Sequence, residues 1–582
     1  MPSGVIRTDS VGATGSTDDT TRPKTPAKSA CNPMKAARNA ATAPQTISPY
    51  STTEAPVSQV RPRLTPPTLR PSRAGTPATG KLLRVGCLRV VTIAPAVLLT
   101  VLLAGLPACS APAPDADARP TRTAQDPNRP NLVFVLTDDL SMNLLKYLPA
   151  VRQMQREGTT FSRYFATDSL CCPSRVSIFS GRYPHSTGIY RNVGDDGGYL
   201  TFKARGLERD TMAADLQKAG YRTAMMGKYL NQYQPGTPRR PRPVPPGWNE
   251  WAVAGYGYNG FDYNLNQTGQ VVHHGTGPGD YITDVLSGLG QDFIRRAAAE
   301  NQPFMLEIAP FMPHAPYIPA PRHANEFAGL KAPRTRAYGA TTRNAPSWLK
   351  RYRLTARDRA GMDRDFRLRA QAVQAVDEMV AALRQQLEAT GTAGNTYLVF
   401  SSDNGYHMGE HALTSGKTTA FDTDIRVPFV VVGPDVPAGQ TVNALASNID
   451  VRPTFGALAG ARVPAHVEGQ NLAPLWRGGS SRRQFVLVEH HGPVTNRKDP
   501  DYPLPAGGNP PDYEAMRGKD WLYVLYRGGE QEYYDMTRDP HQLNNIAGSV
   551  SKKRLRRLKA VLRRAEACSG GASCARAQRA GR

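Results

Sequence analysis

Two runs of one kind, NLVFVLTDD and NTYLVFSSDN, carry apolar, β-branched stretches into Asp138-Asp139 and Asp403-Asn404. Unbroken apolar strands belong inside a parallel sheet covered on both faces, and open α/β sheets gather ligands at the carboxyl ends of their strands. The four side chains are therefore expected to converge. All are hard oxygen donors with no Cys or His among them, a set that suits Ca2+ or Mg2+ better than zinc. One such pair alone could simply cap a following helix, since Asp is a good N-cap; two pairs closing two buried strands favour a metal.

Between these runs lies SLCCPSRVSIFSG, residues 169–181. Adjacent cysteines cannot usefully bridge each other, and the further Cys or His of a zinc site are missing nearby. Pro173 suits the first position of a helix, where a missing N–H costs nothing. Cys171 would then stand beside the positive helix end with Arg175 one turn on, a place that favours an anion. As a thiolate Cys171 could be a nucleophile, although no Cys–His–Asn arrangement is legible.

The elements that must position these residues alternate. Asp210 is placed to cap the helix TMAADLQKA, Gly220 to end it, and YRTAMMGKYLN follows as a strand delivering Lys228. A helix over DYITDVLSGLGQDFIRRAAAE leads to the strand in PFMLEIAPFMPHAPY, with His314 just past its end. RLRAQAVQAVDEMVAALRQQLEATG is a long amphipathic helix before the strand that delivers Asp403. This order predicts an α/β fold, a mostly parallel sheet sandwiched by helices, over residues 131–476. From 477 to 575, QFVLVEH, DWLYVLYR and EQEYYDM predict a small antiparallel sheet closed by the helix SKKRLRRLKAVLRRAEAC, with a basic tail at 576–582. The segment 234–262, rich in Pro, Gly, Arg and aromatics, reads as a loop that shapes substrate choice. A lone strand-end lysine is ordinarily solvent-facing, so Lys228 draws its interest from context.

The chain of 582 residues is long enough for a large domain and a smaller one, and 40% hydrophobic content suffices for a core. The net charge of +24 is unevenly spread: residues 1–108 hold 13 Lys/Arg against 4 Asp/Glu, and 551–582 hold 11 against 1. Nucleic acid is thereby disfavoured as a partner, because the body carries little of the excess. Residues 1–80 have the composition of a disordered leader, which suggests a mis-assigned start codon. In 81–109 a basic stretch, an apolar run and the small-residue ending LPACS have the order of an export signal. The run, interrupted by Pro95, is shorter than the ~20 residues needed to span a bilayer. Cys109 lies in a lipoprotein-like box, so the protein is expected to be exported, either anchored by lipid there or secreted, on a flexible tether over 110–130. Cys568 and Cys574 in CSGGASC suit a local disulfide in an oxidising compartment, with two free thiols as the alternative.

Cys171-Cys172-Pro173-Ser174-Arg175 matches the C-x-P-S-R motif of the type I sulfatases, and the chain resembles that family. VSIFSG continues the motif apart from Ser180, where threonine is more usual. GKYLNQY, PHAPY, SDNGYHMGEH, DIRVPFVVVGPDV, NIDVRPT, YDMTRDPHQLNNIA and CSGGASC extend the likeness over about residues 131–574. Within the family these stretches are most similar to glycosaminoglycan sulfatases that act on N-acetylglucosamine 6-sulfate. The resemblance implies an alkaline-phosphatase-like fold and oxidation of Cys171 to formylglycine by a formylglycine-generating enzyme. It implies Asp138, Asp139, Asp403 and Asn404 as ligands of one Ca2+, with modified Cys171 completing the site. Arg175 would hold the formylglycine and the charge beside the metal, Lys228 and Lys417 would contact the sulfate, and His314 would face the leaving oxygen with His185 nearby. Where many members have a histidine two residues after the first lysine, this chain has Leu230, and Asn231 would take part of its role.

The implied chemistry suits these residue types. A hydrated aldehyde can attack sulfur with one oxygen and expel sulfate with the help of the other, while lysines and a cation stabilise sulfate oxygens and a histidine protonates the alcohol. The implied substrate is a sulfated carbohydrate or aryl sulfate. Two other readings stand beside it: a phosphate or phosphonate ester hydrolase of the same superfold, and a noncatalytic surface lipoprotein that binds sulfated glycans. His273, His274, His490 and His491 read as loop or substrate-rim residues, His407 and His411 as neighbours of the metal ligands or substrate contacts, and Cys172 as an inert buried residue.

Overall fold

Every residue of the Asn131–Thr137 strand is buried, as its unbroken apolar pattern requires, and the strand runs through the interior of a ten-stranded sheet. The computed structural model describes residues 129–580; the leader, the export segment with Cys109 and the tether up to residue 128 lie outside the described residues. Five neighbouring strands run parallel, in the spatial order Thr396–Ser402, Asn131–Thr137, Phe304–Ala309, Arg222–Lys228 and Glu250–Ala254. Antiparallel strands extend both margins. Thr137 is in register with Ser402, so Asp138 and Asp403 leave the sheet side by side.

Alternation along each strand divides the apolar residues between two faces. Val133, Val135, Leu306 and Ile308 share one cluster with Leu286 and Phe293 of the Ile282–Ala299 helix and with Val373, Val376 and Leu383 of the Ala356–Ala389 helix. On the other face Phe134, Leu136 and Met305 share a cluster with Val176, Met212 and Phe455 from the Cys171–Ser180, Met212–Lys218 and Val451–Leu458 helices. The expected helix–sheet–helix sandwich is thus present.

Several boundaries differ from those read in the sequence. The long helix begins at Ala356, eleven residues early, behind a reciprocal cap between Thr355 and Asp358. Its first turns bury only Met362 and Phe366 among residues up to that point, so no apolar stripe announces them. Thr211, not Asp210, caps the Met212–Lys218 helix by accepting from the Ala214 N–H, while Asp210 pairs with Arg452 and His466. Pro173 is the third helical residue, because the helix already starts at Cys171; it is tolerated there since no N–H of the first turn has an acceptor within the helix. The presumed loop 234–262 contains the fifth parallel strand, Glu250–Ala254.

The second sheet has four antiparallel strands, Phe485–His490, Tyr513–Gly518, Trp521–Tyr526 and Gln531–Asp535. Tyr513–Gly518 went unread because Glu514 and Arg517 interrupt its apolar run. The Lys552–Glu566 helix buries Leu558, Val561, Leu562 and Ala565, and the Cys568–Cys574 disulfide joins its end to the Gly571–Gln578 helix. Gln578 is buried and donates to the Tyr183 hydroxyl, so this helix carries ordered structure into the stretch that reads as a basic tail. Among the described residues no helix is long and apolar enough to cross a membrane.

Gly227 is the one glycine on which the site's placement turns. Its φ is +99°, and a Cβ there would stand 2.0 Å from the Ala309 carbonyl oxygen of the neighbouring strand. Gly227→Ala should therefore cost at least about 2 kcal/mol in chemical denaturation. Gly288→Ala, on an exposed helical face with nothing within 4 Å, should be neutral or stabilise by up to about 1 kcal/mol.

Candidate active site

The strand ends bring charge into the buried interior. Asp138, Asp139 and Asp403 are buried, and their carboxylate oxygens lie with Cys171 Sγ within 4.8 Å of one another. The backbone fixes the two strand ends to each other: the Asp139 N–H donates to Asp403 Oδ1 at 3.2 Å, and the Asp403 N–H to the Thr137 carbonyl at 3.1 Å. Asn404 donates from Nδ2 to Asp139 Oδ1 at 2.6 Å, while its Oδ1 is buried with no hydrogen-bond partner. Three carboxylates and an orphaned amide oxygen make a donor set that fits a hard divalent cation, which the Cys171 side chain would complete only once its sulfur is replaced by oxygen.

The Cys171–Ser180 helix is buried along its whole length, and two of its polar residues, Ser174 and Arg175, reach the site. Ser174 Oγ donates to the Asp403 carbonyl at 2.5 Å, and Arg175 Nε to Asp403 Oδ2 at 2.8 Å. A second Arg175 nitrogen, Nη1, donates to the Lys228 carbonyl at 2.9 Å, tying a third strand end to the first two. Cys171 Sγ stands 3.3 Å from Asp138 Oδ1 and 2.8 Å from Lys417 Nζ. Lys228 Nζ reaches Asp138 Oδ2 at 2.5 Å, and Lys417 Nζ reaches Asp139 Oδ1 at 2.7 Å.

Electrostatics follow from these contacts. Burial, with Asp138 and Asp501 adding to it, pushes the Cys171 thiol well up. Burial opposes charge on Asp403, yet Arg175, Lys228 and Lys417 outweigh it and hold the carboxyl down at about 2. Burial likewise opposes charge on Lys228 and Lys417, but the facing aspartates keep both well above the usual lysine value. His314 has the Ala315 carbonyl at 2.7 Å from Nδ1 and Asp501 Oδ1 at 3.0 Å from Nε2. Two acceptors make both nitrogens donors, and Asp138, Asp139 and Asp501 raise its pKa against the effect of burial.

The structure thus gathers Asp138, Asp139, Cys171, Arg175, Lys228, His314, Asp403, Asn404 and Lys417 into one connected set. His185 is not in it, which corrects the expectation that it lies beside His314. Its Nδ1 faces Glu489 at 2.9 Å and its Nε2 the Cys568 carbonyl at 2.9 Å, so it ties the short Pro184–Thr187 helix to the four-stranded sheet and to the disulfide loop. His407 and His411 also serve packing. His407 lies between Asp424 and the Gly507 carbonyl, and His411 stacks on Phe421 at 3.6 Å. His273 and His274 sit on an edge strand, Cys172 lies in the apolar core, and Leu230 is in the core too, while both amide atoms of Asn231 are buried without a partner.

Four contributors escaped sequence reading. Asp501 contacts both His314 and Lys417, and Asn192 holds Asp501 at 2.6 Å. Tyr258 packs on the His314 ring at 4.4 Å and carries Lys228 Nζ over its own ring at 5.2 Å. Arg369 Nη2 donates to the Asp139 carbonyl at 2.5 Å. Each lies in a polar or aromatic stretch with no spacing relation to the strand ends, and only chain folding brings it there.

Residues 130–461 match the sulfatase family, and residues 409–567 match the C-terminal region of N-sulphoglucosamine sulphohydrolase. With the site in hand, the chain belongs to the sulfatase family and is a sulfuric ester hydrolase. It is 34% identical over 479 residues to N-acetylglucosamine-6-sulfatase from Capra hircus, covering 77% of this chain and 85% of that one. It is 30% identical over 501 residues to an arylsulfatase from Volvox carteri, covering 76% and 75%. A solved protein in complex with its substrate D-glucosamine-2-N,6-O-disulfate superposes with a TM-score of 0.61 at 21% identity, over 75% of this chain and 97% of that one, a likeness of fold. The family generally uses a metal and formylglycine, and the buried acidic cluster offers a place for the former.

Two measurements test the roles read here. Asp403 is depressed from 3.8 to about 2, so it contributes stability that is present above pH ~4 and lost as pH falls through ~2. Denaturation of metal-free protein should show wild type losing about 2 kcal/mol more than Asp403→Asn across that window. His185→Gln should lower stability by about 2 kcal/mol while leaving kcat/KM for a sulfate ester within about threefold, since its partners lie outside the cluster.

Proposed function

We propose that this protein hydrolyses sulfate esters of sugars such as N-acetylglucosamine 6-sulfate, using formylglycine made from Cys171 and one Ca2+ held by Asp138, Asp139, Asp403 and Asn404. The observation that carries this reading is the place of Cys171, at the head of a buried helix, 3.3 Å from a carboxylate and 2.8 Å from a lysine. Burial pushes the thiol well up, so an unconverted Cys171 would be a poor thiolate nucleophile. The 34% identity to an N-acetylglucosamine-6-sulfatase supports the substrate class.

In this reading the hydrated aldehyde of formylglycine supplies both the attacking oxygen and the means to expel sulfate. The cation supplies positive charge for the sulfate oxygens. Lys228 and Lys417, charged at all ordinary pH values, donate to those oxygens as well, and hold them in a dry site where such contacts are strong. His314, with a proton on Nε2, gives it to the departing alcohol oxygen. Arg175 keeps Asp403 ionised and fixes it against the Lys228 strand end, so the lysine and the metal ligands share one frame. Asn231, with an unpartnered amide, takes part of the hydrogen bonding that a histidine at position 230 would supply. Maturation requires a formylglycine-generating enzyme, and the segment 81–109 exports the protein, either anchored by lipid at Cys109 or secreted.

The test is the mass of the tryptic peptide Tyr164–Arg175 from protein purified out of its own organism. Replacement of one thiol by an aldehyde or its hydrate is expected, together with turnover of N-acetylglucosamine 6-sulfate that falls at least about a thousandfold in Cys171→Ala and on chelation of the metal. An active preparation with wholly unmodified Cys171, or one that prefers phosphate esters, would refute the reading.

A further inference from the structure

Asp501 reaches the site from the segment between the Phe485–His490 and Tyr513–Gly518 strands, outside the main sheet. Its Oδ1 lies 2.7 Å from Lys417 Nζ and 3.0 Å from His314 Nε2. Oδ2 accepts from Asn192 Nδ2 at 2.6 Å. The Asp501 N–H donates to Asp499 Oδ1 at 3.0 Å, Asn192 Nδ2 is 3.1 Å from the same oxygen, and Asn192 Oδ1 accepts from the Cys172 N–H at 3.0 Å. The side chain is only 3% exposed, whereas Tyr502 and Leu504 beside it are 39% and 56% exposed. A carboxylate is thus held by a short polar chain, anchored beside Cys171, against two of the donors assigned to the substrate.

We propose that Asp501 is a specificity-determining residue that competes with the substrate anion for Lys417 and His314 and selects a monoanionic ester over a dianionic one. The inference rests on the reading of Lys417 and His314 as substrate contacts. An incoming anion must share or displace the carboxylate, and the displaced carboxylate, tethered through Asn192 and Asp499, stays close. Its repulsion scales with ligand charge. A sulfate monoester carries one negative charge, whereas a phosphate monoester carries nearly two above its second pKa of about 6. At a separation of a few ångströms and an effective dielectric near 20, one further unit of charge is worth about tenfold to a hundredfold in affinity after screening. Asp501 would thereby separate sulfate from phosphate esters that fit the same cleft.

The test uses the full chain carrying Cys171→Ala, loaded with Ca2+, so that neither ligand turns over. Calorimetric titration at pH 8 with 4-nitrophenyl sulfate and 4-nitrophenyl phosphate gives a ratio of affinities. Adding Asp501→Asn should move that ratio toward phosphate by about tenfold or more and tighten the sulfate as well. Asp501→Ser, which removes the charge without adding an amide, should move it in the same direction and stands in where the asparagine variant does not fold. A ratio unchanged within about twofold in a folded variant overturns the inference. Lys417→Ala on the same background separates the two claims. If it weakens the sulfate while the Asp501 variants leave the ratio alone, only the selector role fails. If it leaves sulfate binding intact, or if the parent binds neither ester, the anion-site reading falls and this inference with it.

Discussion

Three aspartates buried at the ends of two adjacent strands are the constraint on which the rest of the molecule depends. Asp138, Asp139 and Asp403 are each at most 1% exposed. Ions removed from water cost several kcal/mol apiece unless countercharges and hydrogen bonds replace the solvent. Arg175, Lys228 and Lys417 supply those countercharges, and each comes from a different element: a buried helix, a strand end and a loop. The site is therefore assembled by the fold as a whole, and no local segment could hold it.

That requirement accounts for features that make little sense one by one. A helix of ten residues is buried throughout although four of its side chains are polar, and two of these, Ser174 and Arg175, are held by Asp403. Gly227 leaves room for the Ala309 carbonyl so that Lys228 can leave the sheet in register with its neighbours. Arg369, in the middle of the long helix, reaches across to the Asp139 backbone, and its charge is shared with the Tyr406 ring 4.4 Å away. The four-stranded sheet is joined to the same assembly through the segment that carries Asp501, between its first two strands.

Legibility in the sequence followed the physics of each part. Asp138, Asp139, Asp403 and Asn404 could be placed together because apolar runs announce strands and strand ends share an edge. Lys228 and His314 could be placed at strand ends in the same way, but their roles came from the family resemblance, since a strand-end lysine is ordinarily solvent-facing. The strand Glu250–Ala254 was not, since five residues amid Pro, Gly and Trp show no period that separates strand from loop. The early turns of the Ala356–Ala389 helix were missed because they are solvated by charge, and Tyr513–Gly518 because its partners, not its pattern, make it a strand. His185 was placed near the site by the family resemblance, although its ring is held by Glu489 and Cys568, 304 and 383 residues away.

The sequence by itself determined the α/β class, the strand-end carboxylates and the cysteine motif, because each is a local pattern whose meaning depends on burial period or on a short fixed order of residues. Only the tertiary structure decided which charges neutralise which, that His185 pairs with Glu489 and the Cys568 carbonyl, and that Asp501 stands against Lys417 and His314. Those are contacts between segments far apart in the chain, set by the shape of the packed sheet and its loops, and Coulomb interactions in a buried site depend on distances that no spacing along the chain encodes.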